Sequence, residues 1–168
     1  MSGCSASEVY QMGACFVSYT SSVQPDFGDD YLAYESHVDL GNELRVAWTT
    51  YRGSDPDGRD GYISVMLQGA TTGWMAIGLR RSEEGHAMTD NDVWFARVVD
   101  GHAEAIDSWT TTIYPDFDYE MGGTSDLYDV AGEEVDGITS VRFKRLLFTA
   151  DPWDNPISSA ESAFCAPK

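Results

Sequence analysis

A two-residue period constrains this chain more than any other feature. "ELRVAWTTY" (Glu43 to Tyr51) places Leu44, Val46 and Trp48 on one face, and "YISVMLQ" (Tyr62 to Gln68) does the same with Ile63, Val65 and Leu67. Successive side chains of an extended strand point to opposite sides, so each segment has an apolar face to bury. "GWMAIGL" (Gly73 to Leu79) and "NDVWFARVV" (Asn91 to Val99) are nearly apolar on both faces, as central sandwich strands are. Asp100-Gly101 supplies a two-residue turn, and "HAEAIDSWTTTI" returns with Ile106 on one side and Trp109 on the other. "GITSVRFKRLLF" (Gly137 to Phe148) alternates Val141 and Phe143 with Arg142 and Lys144. No segment of about 12 residues or more carries a helical period. The expected fold class is therefore all-β, an immunoglobulin-like antiparallel β-sandwich. Two segments read as loops: the acidic, glycine-rich "YRGSDPDGRDG" (Tyr51 to Gly61), and the long stretch from Tyr114 to Gly137, with one short strand around Leu127 to Val130.

The 168 residues suffice for one domain with a real core. The 28 acidic against 10 basic side chains give a formal charge of -18. Such a surface repels phosphate backbones and anionic membranes, which argues against nucleic acid and lipid partners, and it is compatible with calcium-type cations. No apolar run approaches the roughly 20 residues that span a bilayer, so no membrane insertion by this chain is expected. The start, "MSGCSASEVYQ", lacks the basic and apolar regions of a secretory signal. Cys4, Cys15 and Cys165 show no metal-binding CxxC spacing. The expected disulfide is Cys15 to Cys165, with Cys4 to Cys165 or Cys4 to Cys15 as alternatives, and one cysteine left over. That usage favours an oxidising compartment, extracellular or secreted.

Catalytic signatures are lacking. There is no GxSxG elbow, and His37, His86 and His102 form neither an HxH pair nor an HExxH helix motif. A non-catalytic chain is expected. "DPDGRDG" opens like a calcium loop, with Asp55 and Asp57 two apart, but Arg59 and Met66 stand where an EF-hand needs oxygen ligands, so a solvated turn is the better reading. The stretch "GHAMTDNDVWFARVVDGHAEAIDSW" holds His86 and Met88, which suggest a haem ligand set, and a row of acids, which suggest a hard cation. Counting outward from its turn puts Val93 opposite Ser108 and Asp92 opposite Trp109. If the loop containing Asp118 folds back over this end, Asp92, Asp118 and local backbone carbonyls could surround one cation. The alternative is a solvated, negatively charged sheet end.

The pieces "GWMAIGL", "NDVWFARVVDG", "IDSW", "PDFDY" and "DGITSVRFKRLLFTADPWD", in this order and spacing, resemble the DOMON domain, the N-terminal module of dopamine β-monooxygenase and its relatives. The likeness covers about residues 31–156, leaving 1–30 as an N-terminal extension and 157–168 as a C-terminal segment. It implies the same immunoglobulin-like sandwich and two kinds of ligand. In one type a metal site falls, by motif, on Asp92, Val93, Ser108 and Asp118, with Val93 and Ser108 contributing backbone oxygens to a calcium or sodium ion. In the cytochrome type, haem b is bound between a Met at the position of Met88 and a later His. This chain departs there, since no His follows His102, and His86 or His102 would have to substitute. The copper-dependent monooxygenase domains are absent, so hydroxylation is not implied. The resulting expectation is a non-catalytic extracellular module with a structural cation, working beside other domains or proteins of a redox or adhesion system. The alternatives are a b-type cytochrome module for one-electron transfer, and a module binding a sugar or other small ligand through exposed Trp and Tyr.

Overall fold

A computed structural model describes residues 11–14, 26–41, 43–54, 58, 60–80, 91–111 and 115–157. Ten strands run in chain order: β1 (Gln11–Ala14), β2 (Ser36–Leu40), β3 (Leu44–Ser54), β4 (Asp60–Gly69), β5 (Trp74–Arg80), β6 (Asn91–Val99), β7 (His102–Thr110), β8 (Pro115–Phe117), β9 (Tyr128–Val135) and β10 (Ile138–Leu146). They form two antiparallel five-stranded sheets. Sheet A has the order β1-β5-β6-β7-β8 and sheet B the order β2-β3-β4-β10-β9. This is the all-β sandwich that the alternation predicts. The helical content among the described residues is two short 3-10 turns, Asp30–Ala33 and Asp118–Glu120.

Alternation decides what lies between the sheets. From sheet A, Met75, Ile77, Leu79, Trp94 and Ala96 point inward; from sheet B, Leu44, Val46, Ile63, Val65, Leu67, Val141 and Phe143 meet them. Trp94 and Phe143 touch edge to face, with ring centroids 5.5 Å apart. That geometry sets the positive ring edge against the negative ring face and adds about 1 kcal/mol to the burial of two large rings. The β6–β7 turn is as read: Asp100 and Gly101 have φ of 50° and 76°, and Val99 sits opposite His102. The register then places Val93 opposite Ser108 and Asp92 opposite Trp109. Sheet B is also covered on its outer side. There Gln68 Nε2 donates to Phe27 O (3.0 Å), and the Arg45 guanidinium lies 4.1 Å from the Tyr31 ring centre.

The Tyr114 to Gly137 stretch is a correction. The strand expected around Leu127 to Val130 is the start of the eight-residue β9, and the part read as loop before it contains β8 and a 3-10 turn. Both strands lie at sheet edges, where one side of the backbone and much of the side-chain surface stay in water. An edge strand needs little apolar alternation, and exposed charges such as Glu133 and Glu134 discourage pairing with another chain. The same reason hid β2, whose His37 and Asp39 are exposed. Residues 1–30 supply β1, which pairs with β5 from Gln11 opposite Arg80 to Ala14 opposite Ile77.

Gly132 on β9 is required by close approach. A Cβ there would lie 2.3 Å from the carbonyl oxygen of Ser140 on β10. The neighbour is backbone and cannot rotate away. Gly132→Ala is expected to destabilise the protein by about 2 kcal/mol, the usual scale of overpacking, as measured by urea denaturation. An unchanged midpoint would show that β9 is not held in this register.

Candidate functional site

The apolar interior ends in charge at one end of the sandwich. On β6 the inner row of Ala96 and Trp94 continues to Asp92, and on β10 the inner row of Val141 and Phe143 continues to Arg145. Both charged residues are fully buried. Arg145 Nη1 donates to Asp92 Oδ2 at 2.8 Å, so one ion pair ties sheet A to sheet B. The segment after β10 closes the end. The Asn155 main-chain N–H donates to the same Asp92 oxygen (2.9 Å), its carbonyl accepts from Arg145 Nη2 (3.1 Å), and its side-chain amide donates to Leu79 O (2.8 Å). Asp154 Oδ2 lies 3.1 Å from Arg145 Nη2.

Two more carboxylates face this end. Asp107 on β7 sits across from Trp94, on the inner face, and its Oδ2 receives a long 3.4 Å bond from the Asp126 N–H. Asp118 opens the 3-10 turn after β8 and is buried completely. One oxygen from each of Asp92, Asp107 and Asp154 lies within 4.8 Å of the others. Two ligands of one calcium ion, each about 2.4 Å away, are at most about that far apart. Asp92 Oδ1, Asp107 Oδ1, Asp154 Oδ1 and both oxygens of Asp118 are buried without a hydrogen-bond donor. Leaving one buried polar atom unsatisfied costs on the order of 1–3 kcal/mol, and more when it is charged.

The electrostatics follow from burial. Four carboxylates surround one guanidinium, so full ionisation would leave the cluster with an excess negative charge of three. Burial raises Asp107 to about 9, with Asp92 the next contributor. Asp118 is raised to about 7 by burial and then by Asp154. Asp154 is raised to about 7 by burial, against the pull of Arg145. Asp92 is also raised by burial, and again Arg145 opposes. Burial disfavours the charge of Arg145, but Asp92, Asp154 and Asp107 hold it on. Either protons or a bound cation can relieve this excess.

Of the residues expected from sequence, the fold brings Asp92 into the group within reach of one ion, while Asp118 is buried beside that group and outside it. Val93 and Ser108 face one another across the hairpin, but by alternation their side chains lie on the outer face of sheet A. Arg145, Asp154 and Asn155 are members that the sequence does not single out, and Asp107, an acid of the same hairpin that the sequence reading weighs with Asp92 and Asp118, is not among the expected ligands. Arg145 has a signal: it continues the inward series of Val141 and Phe143, where a charge is anomalous. Asp107 and Asp154 have only their places in "IDSW" and "TADPWD". His102 is exposed at the hairpin tip, with Nδ1 2.9 Å from Asp100 O, and seven strand steps, or about 23 Å, separate Val99 beside it from Asp92. Met88, His86, the three cysteines, and Asp55, Asp57 and Arg59 of the acidic turn lie outside the described residues.

A two-sheet sandwich closed at one end by buried acids around an arginine defines a class of β module. The DOMON domain family model matches residues 40–165, and the chain belongs to that family. No curated protein sequence matches it. Residues 40–165 take in every member of the buried cluster.

Unfolded aspartates release their protons near pH 4. In the folded state Asp118 and Asp154 hold theirs to about 7 and Asp107 to about 9. Between these limits the folded form binds more protons than the unfolded one, so stability falls as pH rises. In the presence of a chelator, the melting temperature is expected to drop by about 5 °C or more between pH 5 and pH 8.5, as read by calorimetry. A melting temperature that climbs across this window would contradict the cluster's charge balance.

Proposed function

We propose that this chain is a non-catalytic, extracellular DOMON module whose sandwich end is stabilised by one hard cation, calcium or sodium. It serves ligand binding or interaction beside other domains or proteins of an extracellular redox or adhesion system. The observation that carries this reading is the set of buried carboxylate oxygens on Asp92, Asp107, Asp118 and Asp154 that lack donors. Carboxylate oxygens in this number suit calcium, which takes six to eight oxygen ligands at about 2.3–2.6 Å. A divalent ion would offset most of the excess charge and would let Asp107, Asp118 and Asp154 ionise at neutral pH. Sequence reasoning supplies Asp92 and Asp118 for this role, and geometry adds Asp107 and Asp154. Val93 and Ser108 would contribute, as the resemblance implies, only through main-chain oxygens. Haem b, with Met88 as axial ligand, would depend on residues outside those described.

Calcium at about 100 times its dissociation constant should stabilise the protein by about 2.7 kcal/mol, seen as a higher melting temperature at pH 7.5. The gain should vanish with chelator and be largely lost in Asp107→Asn combined with Asp118→Asn. If neither calcium nor sodium raises the melting temperature, the cation reading fails.

One observation favours an additional ligand. The outer face of sheet A carries a groove of about 240 Å³ lined by Trp74, Phe95, Ile106, Pro115 and Phe117, with the Arg97–Glu104 ion pair at its side. Trp74 is 46% exposed and lies 5.4 Å from Phe95, centroid to centroid. Half-exposed rings beside hydrogen-bonding groups suit the apolar face and hydroxyl edge of a sugar or similar small molecule. Trp74→Ala is expected to remove binding on a glycan array while leaving the melting temperature within about 1 °C, as a surface change should. Equal binding by both proteins would exclude the groove.

A further inference from the structure

Among the described residues, the segment after β10 has no strand of its own, yet it is fastened at several points. Ile157 reaches back into the core and its N–H donates to Leu147 O (2.8 Å). Asn155 is held by Asp92, Arg145 and Leu79, as described above. Farther out, the segment meets the turn that follows β8. Asp151 Oδ2 accepts from the Thr124 N–H (2.6 Å) and from Thr124 Oγ1 (3.2 Å). Trp153 Nε1 donates to Met121 O (3.3 Å), and the Trp153 ring lies 6.1 Å from that of Trp109. Gly123 makes the contact possible, because a Cβ there would stand 2.6 Å from Asp151 Oδ2.

The buried acids are divided among these pieces. Asp92 and Asp107 belong to the β6–β7 hairpin, Asp118 to the turn after β8, and Asp154 to the segment after β10. Asp118 is fully buried, and neither of its oxygens has a partner. Without a cation, the segment after β10 is held at this end by the hydrogen bonds of Asn155 and by the Arg145–Asp154 contact. With a cation at Asp92, Asp107 and Asp154, one ion would tie the β6–β7 hairpin to the segment after β10, which itself holds the turn after β8. Closing the loops through a shared ion gains most where the loops have least structure of their own.

We infer that residues 147–157 form a cation-operated clamp: the ion bound by Asp92, Asp107 and Asp154 locks this segment, and with it the 118–126 turn that Asp151 and Trp153 hold, onto the end of the sandwich, and removal of the ion releases both while the two sheets stay folded. This rests on the cation reading above and adds to it a defined moving part. The Asn155 and Thr124 N–H groups report on it directly, since each donates to a carboxylate of the assembly. Residues 62–69 of β4 provide the internal reference, because they lie in the centre of sheet B.

The test is amide hydrogen exchange followed by mass spectrometry on the whole chain at pH 7.5, with calcium or with chelator, alongside calorimetric titration of calcium. Calcium is expected to slow exchange at least tenfold in peptides covering 149–157 and 118–127, with less than twofold change in 62–69. Asp154→Asn, which leaves Asp92 and Asp107 on the body, should weaken calcium binding and abolish the slowing in 149–157. Asn155→Ala keeps every carboxylate; it should still bind calcium, but with partial loss of protection in 149–157. If calcium binds and exchange in 149–157 is unchanged, or changes equally in all three regions, the clamp is overturned and the cation site stands. If calcium does not bind, the clamp is overturned, and the cation reading falls with it when sodium also leaves the melting temperature unchanged.

Discussion

Burial of four carboxylates around a single guanidinium is the constraint to which the rest of this structure answers. A β-sandwich is held mainly by apolar contact between its sheets, and such contact is non-directional. The Arg145–Asp92 pair is directional. It joins β10 of one sheet to β6 of the other at a defined register, immediately beyond the Trp94–Phe143 contact. Sliding either strand by two residues would set a charge against an apolar layer. Breaking such a buried pair by removing one partner costs about 3–5 kcal/mol, because the other charge is stranded. The pair therefore specifies how the sheets face one another more than it adds to net stability.

Loops are positioned by the same charges. The segment after β10 crosses the open end because Asn155 completes the coordination of Asp92 and Arg145 with both its main-chain groups. The 118–126 turn lies where it does because Asp151 and Trp153 hold it. An apolar plug could close such an end; this sandwich closes it with polar groups whose needs are met from both sides. The residual mismatch, oxygens without donors, is concentrated on the acids. Gln68 Oε1, Ser108 Oγ, Trp94 Nε1 and Arg145 Nε are also buried without partners, but the unsatisfied oxygens gathered on the acids at one place point to a ligand.

The parts of the chain that sequence makes legible are those whose two faces differ. β3, β4 and β10 have buried inner rows that their apolar periods name, whereas β6, apolar on both faces, and β7 are placed by the turn between them. The turn at Asp100-Gly101 adds register, so the pairing of Val93 with Ser108 follows from counting outward along the two strands. Edge strands are poorly legible, since β8 is short and β9 is largely exposed. The site is half legible. Asp92 follows from its strand and Asp118 from likeness to a family, but nothing local to Asp154 says that it meets Asp92, far back along the chain.

The sequence alone determined the class of fold, the central strands, the β6–β7 register and the family, because each depends on local periodicity, turn chemistry or motif order. Only the tertiary structure decided that Asp107, Arg145 and Asp154 converge with Asp92 and Asp118. That convergence arises from the stacking of two sheets and the return of the chain after β10. Long-range contacts of this kind leave no period behind: an aspartate on a solvated loop and one aimed at a buried guanidinium are the same letter. The difference between them is the dielectric and the neighbours they meet, and only the folded chain supplies those.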